Sequence, residues 1–172
     1  MKTWKEIAVE LNQPPDPKLV RAAMPDKGIY GSYLPAQVVV MYLNEVFGPD
    51  GWSGYLSSVK ELTLADGTTV FISEYEIRAE GLDENGKTLA VNRSNGGVGV
   101  AAAWFDRQTG EQKPPKPQAI DTAYKASISD GLKRAAKDFG PKLGMQLYLN
   151  ETELALFSLY DGVEHTAAGE GI

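Results

Sequence analysis

Four cations, Lys125, Lys133, Arg134 and Lys137, recur at spacings that a single helix would gather. Their N–H donors suit phosphate oxygens, which take charge-assisted hydrogen bonds from ammonium and guanidinium groups. The segment DGLKRAAKDFG (Asp130 to Gly140) is the densest part of this pattern. Read from about Ala119 to Phe139 at roughly 100° per residue, the stretch is a helix. Ile120, Tyr124, Ile128, Leu132, Ala135 and Phe139 then share an apolar stripe, and the four cations take the other arc. A solvated face of an ordinary amphipathic helix would read the same way, so the spacing alone leaves both readings open.

Charge is distributed unevenly around this helix. Between Gln112 and Leu149 stand seven basic residues and three acids, in a chain whose net charge is -6. From Asn150 onward there are five acids and no Lys or Arg. A net-acidic protein does not attract a polyanion through its overall field, so any such binding must come from local placement of cations. Segregation into one third of the chain supplies that placement.

Other chemistries have little to work with. There is no cysteine, which excludes disulfides and thiolate metal sites. The only histidine, His165, falls in a glycine-rich acidic end. Glu74, Glu76 and Glu80 alternate along one apparent strand face and could offer carboxylates to a metal, as a metal-dependent nuclease would need, but a solvated strand face has the same spacing. No GxxxxGK[ST] nucleotide loop occurs. No signal peptide and no membrane-length apolar run is present, so an intracellular, cytoplasmic setting is the expectation. Catalytic residues, metal and cofactors are expected to be none.

The elements that must position the cations follow from periodicity. Trp4, Ile7, Ala8 and Leu11 mark a first helix that Pro14 and Pro15 stop. A segment from Asp16 to Tyr33 reads as irregular. Pro35 suits a first helical position, and Val38, Val39, Tyr42, Leu43 and Val46 give the second helix an apolar face ending near Gly48. From Trp52 to about Arg93 the period becomes two, with turns at Asp66-Gly67 and Asn85-Gly86, so three antiparallel strands are expected. The glycine-rich NRSNGGVGVAAAW (Asn92 to Trp104) could cradle phosphate, but a tight bend or close backbone packing is the preferred reading. Asp106 to Gln118 reads as a polar, proline-rich loop. After the basic helix, FGPKLG is a stop, and a last helix from about Asn150 to Tyr160 opens on a capping pattern, Asn150 with Glu153. One domain over residues 1–160 and a disordered acidic tail over 161–172 are expected.

Two separated motifs carry a resemblance. NEVFGPDGWS (Asn44 to Ser53) and SDGLKRAAKDFGPKLG (Ser129 to Gly144), in this order with a hairpin-rich region between them, resemble the annealing domain of the Rad52 family of single-strand annealing proteins, including bacterial and bacteriophage relatives. The similarity spans roughly Tyr33 to Leu147. The Asp106 to Gln118 loop looks like an insertion relative to the eukaryotic pattern.

The resemblance implies an α+β fold with an antiparallel three-stranded sheet packed against the long basic helix, a β-β-β-α core with flanking helices, assembling into a homo-oligomeric ring. It also implies that single-stranded DNA lies in a groove with its backbone inward, bound by Lys133, Arg134 and Lys137, which occupy the matching motif positions. Lys125, two turns earlier, and Lys142, in FGPKLG, are further candidates. Arg21 best matches an arginine that precedes the first motif in relatives, with Lys27 competing. For a second DNA site, Lys87, Lys113 and Lys116 are candidates by charge alone. Annealing needs neutralised phosphates and accessible bases, and no bond is broken, so neither nucleotide nor membrane is an expected partner. The implied activity is ATP-independent annealing in recombination or repair, and a self-contained phage, prophage or bacterial protein is expected. Two other classes stay open: the metal-dependent nuclease, and a structural oligomer whose basic helix meets a neighbour's acids.

Overall fold

Two turns shape the sheet. Gly67 and Gly86 sit at φ 79° and 76°, a left-handed region that glycine enters without a Cβ penalty. Beside them Asp66 Oδ1 accepts the Thr68 N–H, and Asp83 Oδ1 accepts the N–H groups of Asn85 and Lys87. The computed structural model describes residues 1–22 and 31–148. There, β1 (Trp52–Thr63), β2 (Thr69–Leu82) and β3 (Thr88–Ala101) form an antiparallel sheet in the order β1-β2-β3. Its companions are α1 (Trp4–Leu11), α2 (Ala36–Phe47) and α3 (Pro117–Lys137), with a small ribbon of β4 (Trp104–Phe105) and β5 (Gln112–Lys113). The fold is α+β, as expected.

Thr3 starts α1 through a reciprocal capping box with Glu6, and Ile7 and Leu11 turn inward. Pro35 precedes α2 as its N-cap residue, and Gly48 ends that helix at φ 80°. Ile7, Val39, Leu43, Val46, Ile77 and Leu143 are fully buried and form the main core between the helices and β2. Phe47 bridges Trp4 and Phe139 by edge-to-face contacts, with ring centroids 6.1 and 5.4 Å away.

The glycine-rich segment belongs to β3, which runs on to Ala101 rather than ending near Arg93. The strand continues there because it lies directly beneath α3. A Cβ at Gly97 would collide with the Ser127 carbonyl oxygen and the Gly131 nitrogen, and one at Gly99 with the Ala123 carbonyl. Close backbone packing is therefore the function of these glycines. Ser73 on β2 joins the same seam, its buried hydroxyl donating to the Ser127 carbonyl at 2.8 Å.

Close approach also corrects the face of α3. The buried residues are Ala123, Ser127, Gly131, Leu132, Ala135 and Ala136, whereas Tyr124 is 39% exposed with its ring edge on Phe71. The expected stripe holds at Leu132 and Ala135, with Ile120 and Phe139 packed partly buried against the core, and it gives way to smaller residues where Tyr124 was expected inside. A helix resting on glycine presents its smallest side chains, because larger ones would hold the two backbones apart. The helix begins at Pro117 and ends at Lys137, two residues earlier at each end than the pattern suggested. Two 3-10 turns follow, Pro141–Leu143 and Met145–Tyr148. The expected loop before α3 contains β5, which turns back to pair with β4 just ahead of it. The expected helix at 150–160, the tail at 161–172 and Lys27 lie outside the described residues.

Candidate nucleic-acid interface

The C-terminal half of α3 is held between β3 and the segment around Tyr33. Lys133 carries its ammonium 5.5 Å from the centroid of the Tyr33 ring. Tyr33 in turn pairs with Arg21 through two backbone hydrogen bonds, Arg21 N–H to Tyr33 O at 2.8 Å and Tyr33 N–H to Arg21 O at 2.9 Å. Arg21 is exposed. Tyr33 therefore connects two candidates that lie far apart along the chain.

Each α3 cation stands beside a carboxylate. Lys125, largely exposed, pairs with Asp121 at 2.7 Å one turn away. Lys133 Nζ lies 3.9 Å from Asp130 Oδ1, and Arg134 Nε donates to Asp130 Oδ2 at 2.8 Å. Lys137 Nζ is 3.1 Å from Asp138 Oδ1. Lys142 is the most enclosed of the set, bonded to Glu45 at 2.8 Å and 5.2 Å from the Tyr42 ring, so its ammonium ties the turn after α3 to α2. No contact links Lys142 to the Lys133 and Arg134 cluster among the described interactions.

One cation at this end of α3 escaped the sequence reading. Arg93, exposed on β3, donates from Nε to the Asp138 carbonyl at 3.2 Å, with its guanidinium 5.6 Å from the Phe139 ring. Asn95, two residues on, donates to Asp138 Oδ2 at 3.0 Å. Only the packing of β3 against α3 brings Arg93 beside Asp138 and Phe139, so no local sequence signal marks it. Asp130 was legible in principle, because DGLKR places it three and four residues before the two cations.

The outer face of the sheet, away from α3, has two ends of different character. Leu62, Val70 and Val100 stand side by side across the three strands, as do Ile72 and Val98, and all but Val70 are well exposed. At the other end lie Glu74, Glu76 and Glu80. Glu76 accepts from Asn92 at 2.9 Å and also from the Tyr55 hydroxyl, a bond that pushes Tyr55 ionisation above its ordinary value. Glu80 is held by Arg78 at 3.0 Å. No cluster of three metal-ligating side chains occurs among the described residues. No described helix is long and apolar enough to cross a membrane. Of the second-site candidates, Lys113 pairs with Glu111 at 2.7 Å and Lys116 lies 5.0 Å from the Trp104 ring.

No curated protein matches the chain. The family model described as Rad52/22 family double-strand break repair protein matches residues 3–164, which span α1, the sheet and the basic helix. With the match extending over nearly the whole sequence, the chain belongs to the Rad52/22 family.

Proposed function

We propose that this protein binds single-stranded DNA along the α3 face and anneals complementary strands without ATP, as a non-enzymatic step of DNA repair and recombination. Family membership implies DNA repair by annealing. The observation that carries the finer reading is the link from Arg21 through Tyr33 to Lys133, with Arg134, Lys137 and Arg93 close by along α3 and β3. Lys133, Arg134 and Lys137 take the principal phosphate contacts and Arg21 flanks them. Lys125, about 12 Å along the helix axis from Lys133, extends the track. Lys142 supports the turn that ends it.

The carboxylates beside these cations do not oppose the reading. The Lys125–Asp121 pair is exposed and contributes about 0–1 kcal/mol, so exchanging it for a phosphate costs little, whereas the more covered Asp130 can stay in place while Lys133 and Arg134 turn their other N–H donors to a phosphate. Release of counterions from DNA provides the gain, and it is independent of base sequence, as annealing requires. Strands whose charge is neutralised stop repelling, and bases left unpaired can test complementarity.

Homo-oligomeric assembly, as a ring, belongs to the same reading. β1 and β3 are edge strands, and the apolar end of the outer face is uncovered in the single chain, both of which favour burial against another copy. A bacterial or bacteriophage source, with the protein acting in the cytoplasm, is part of the same proposal.

The deciding experiment mixes two complementary labelled oligonucleotides with the purified protein, with and without ATP, across a salt series. Acceleration without nucleotide, and an affinity that falls with a log–log slope of about -0.7 per neutralised phosphate, are expected. A salt-independent affinity, annealing that needs hydrolysis, or magnesium-dependent cleavage of the strands would overturn the proposal.

A further inference from the structure

Asp130 differs from the other carboxylates along α3 in being held by the sheet as well as by its own helix. Its Oδ2 accepts Arg134 Nε at 2.8 Å and also faces the main-chain N–H of Val98 at 3.4 Å. Val98 pairs with Ile72 on β2, so its position is set by the strand register. Asp130 Oδ1 lies 3.9 Å from Lys133 Nζ, on the side of the Tyr33 ring. The carboxylate is largely covered, at 23% side-chain exposure, whereas Asp121, the partner of Lys125, stands at 59%.

The choice of nitrogen matters. A guanidinium has five N–H donors, and Asp130 takes the one at Nε, at the root of the fork. The terminal nitrogens, which can grip a phosphate in bidentate fashion, are left out of this bond. Asp130 therefore fixes the plane of Arg134 without occupying the end that a phosphate uses.

We propose that Asp130 is a positioning residue for phosphate binding: anchored to β3 at Val98, it pre-orients Arg134 and steadies Lys133 for the DNA backbone. This rests on the phosphate-binding reading of α3. Charge alone argues the opposite sign, since a carboxylate on this face repels a polyanion and its removal should tighten binding. The direction of the effect therefore distinguishes the two roles.

The test is a single-stranded oligonucleotide titration, with melting and particle sizing on the same variants. Asp130→Ala should bind about tenfold more weakly although it removes a negative charge, the scale of one charge-assisted hydrogen bond. Asp130→Asn keeps an oxygen acceptor for Arg134 Nε and Val98 N–H while shedding the charge, and it should bind a few-fold more tightly than the parent. In an Arg134→Ala background, Asp130→Ala should lose most of its effect, as neighbours acting through one another do. Arg134→Lys, which does not depend on how Asp130→Ala folds, should weaken binding while leaving the salt slope unchanged, because the charge remains and the held fork is gone. Asp130→Ala binding as well as the parent or better, or an equal loss in the Arg134→Ala background, would overturn the inference. If Lys133, Arg134 and Lys137 could together become Ala with no loss of DNA binding, the failure would lie with the α3 interface itself.

Discussion

The Lys133 ammonium and the Tyr33 ring meet at 5.5 Å, joining the basic helix to a segment a hundred residues earlier in the chain. The same tyrosine holds Arg21 by its backbone. The phosphate track proposed above would therefore draw on two parts of the sequence, with the ring helping to hold the lysine in place.

Replacing Lys133, Arg134 and Lys137 together by Ala should weaken single-stranded DNA binding strongly and flatten the salt slope by about 0.7 for each phosphate that is no longer neutralised. The fold should survive, because none of the three enters the core. Titration at several salt concentrations, with circular dichroism melting beside it, measures both.

Tyr33→Phe should bind DNA within about twofold of the parent, since the ring face is kept. Tyr33→Ala should bind several-fold more weakly, matching a cation–π interaction of about 0.5–1 kcal/mol. Fluorescence anisotropy at fixed ionic strength would check both, and equal binding by the Ala variant would remove the tyrosine from the interface.

Gly97→Ala should damage the fold more than its size suggests. The added methyl meets the Ser127 carbonyl and the Gly131 nitrogen, which are backbone and cannot rotate away, so a cost at or above the usual range of about 1–3 kcal/mol for overpacking is expected. Leu132→Ala opens a cavity at a buried site and should cost roughly 2–5 kcal/mol. Chemical denaturation of both variants gives the values directly.

Val98→Asp with Val100→Asp should reduce particle size in solution if the apolar outer face is buried between copies. Both side chains are half exposed in the single chain, so the monomer fold should be retained. Light scattering with circular dichroism would separate loss of assembly from loss of folding. Particles unchanged in mass would place the interface between copies elsewhere.

Much of the fold was legible because its signals are local. Asp66-Gly67 and Asn85-Gly86 demand left-handed turns whatever surrounds them, and the period-two pattern between them yields the β1-β2-β3 order directly. The paired motifs around Trp52 and Arg134 sufficed to indicate the family. The inner face of α3 was not legible, because hydrophobic periodicity ranks Tyr124 above Ser127. The choice was made by Gly97 and Gly99, whose missing Cβ atoms let the helix approach until only small residues fit at Ala123, Ser127 and Gly131. Strand register placed Arg93 beside Asp138, and chain folding placed Tyr33 beside Lys133. The sequence by itself determined which residue types could hold phosphate and which elements would carry them. Tertiary structure decided how they are grouped, because contacts between distant segments follow from packing distance and register, and neither is encoded within a helical turn or a strand repeat.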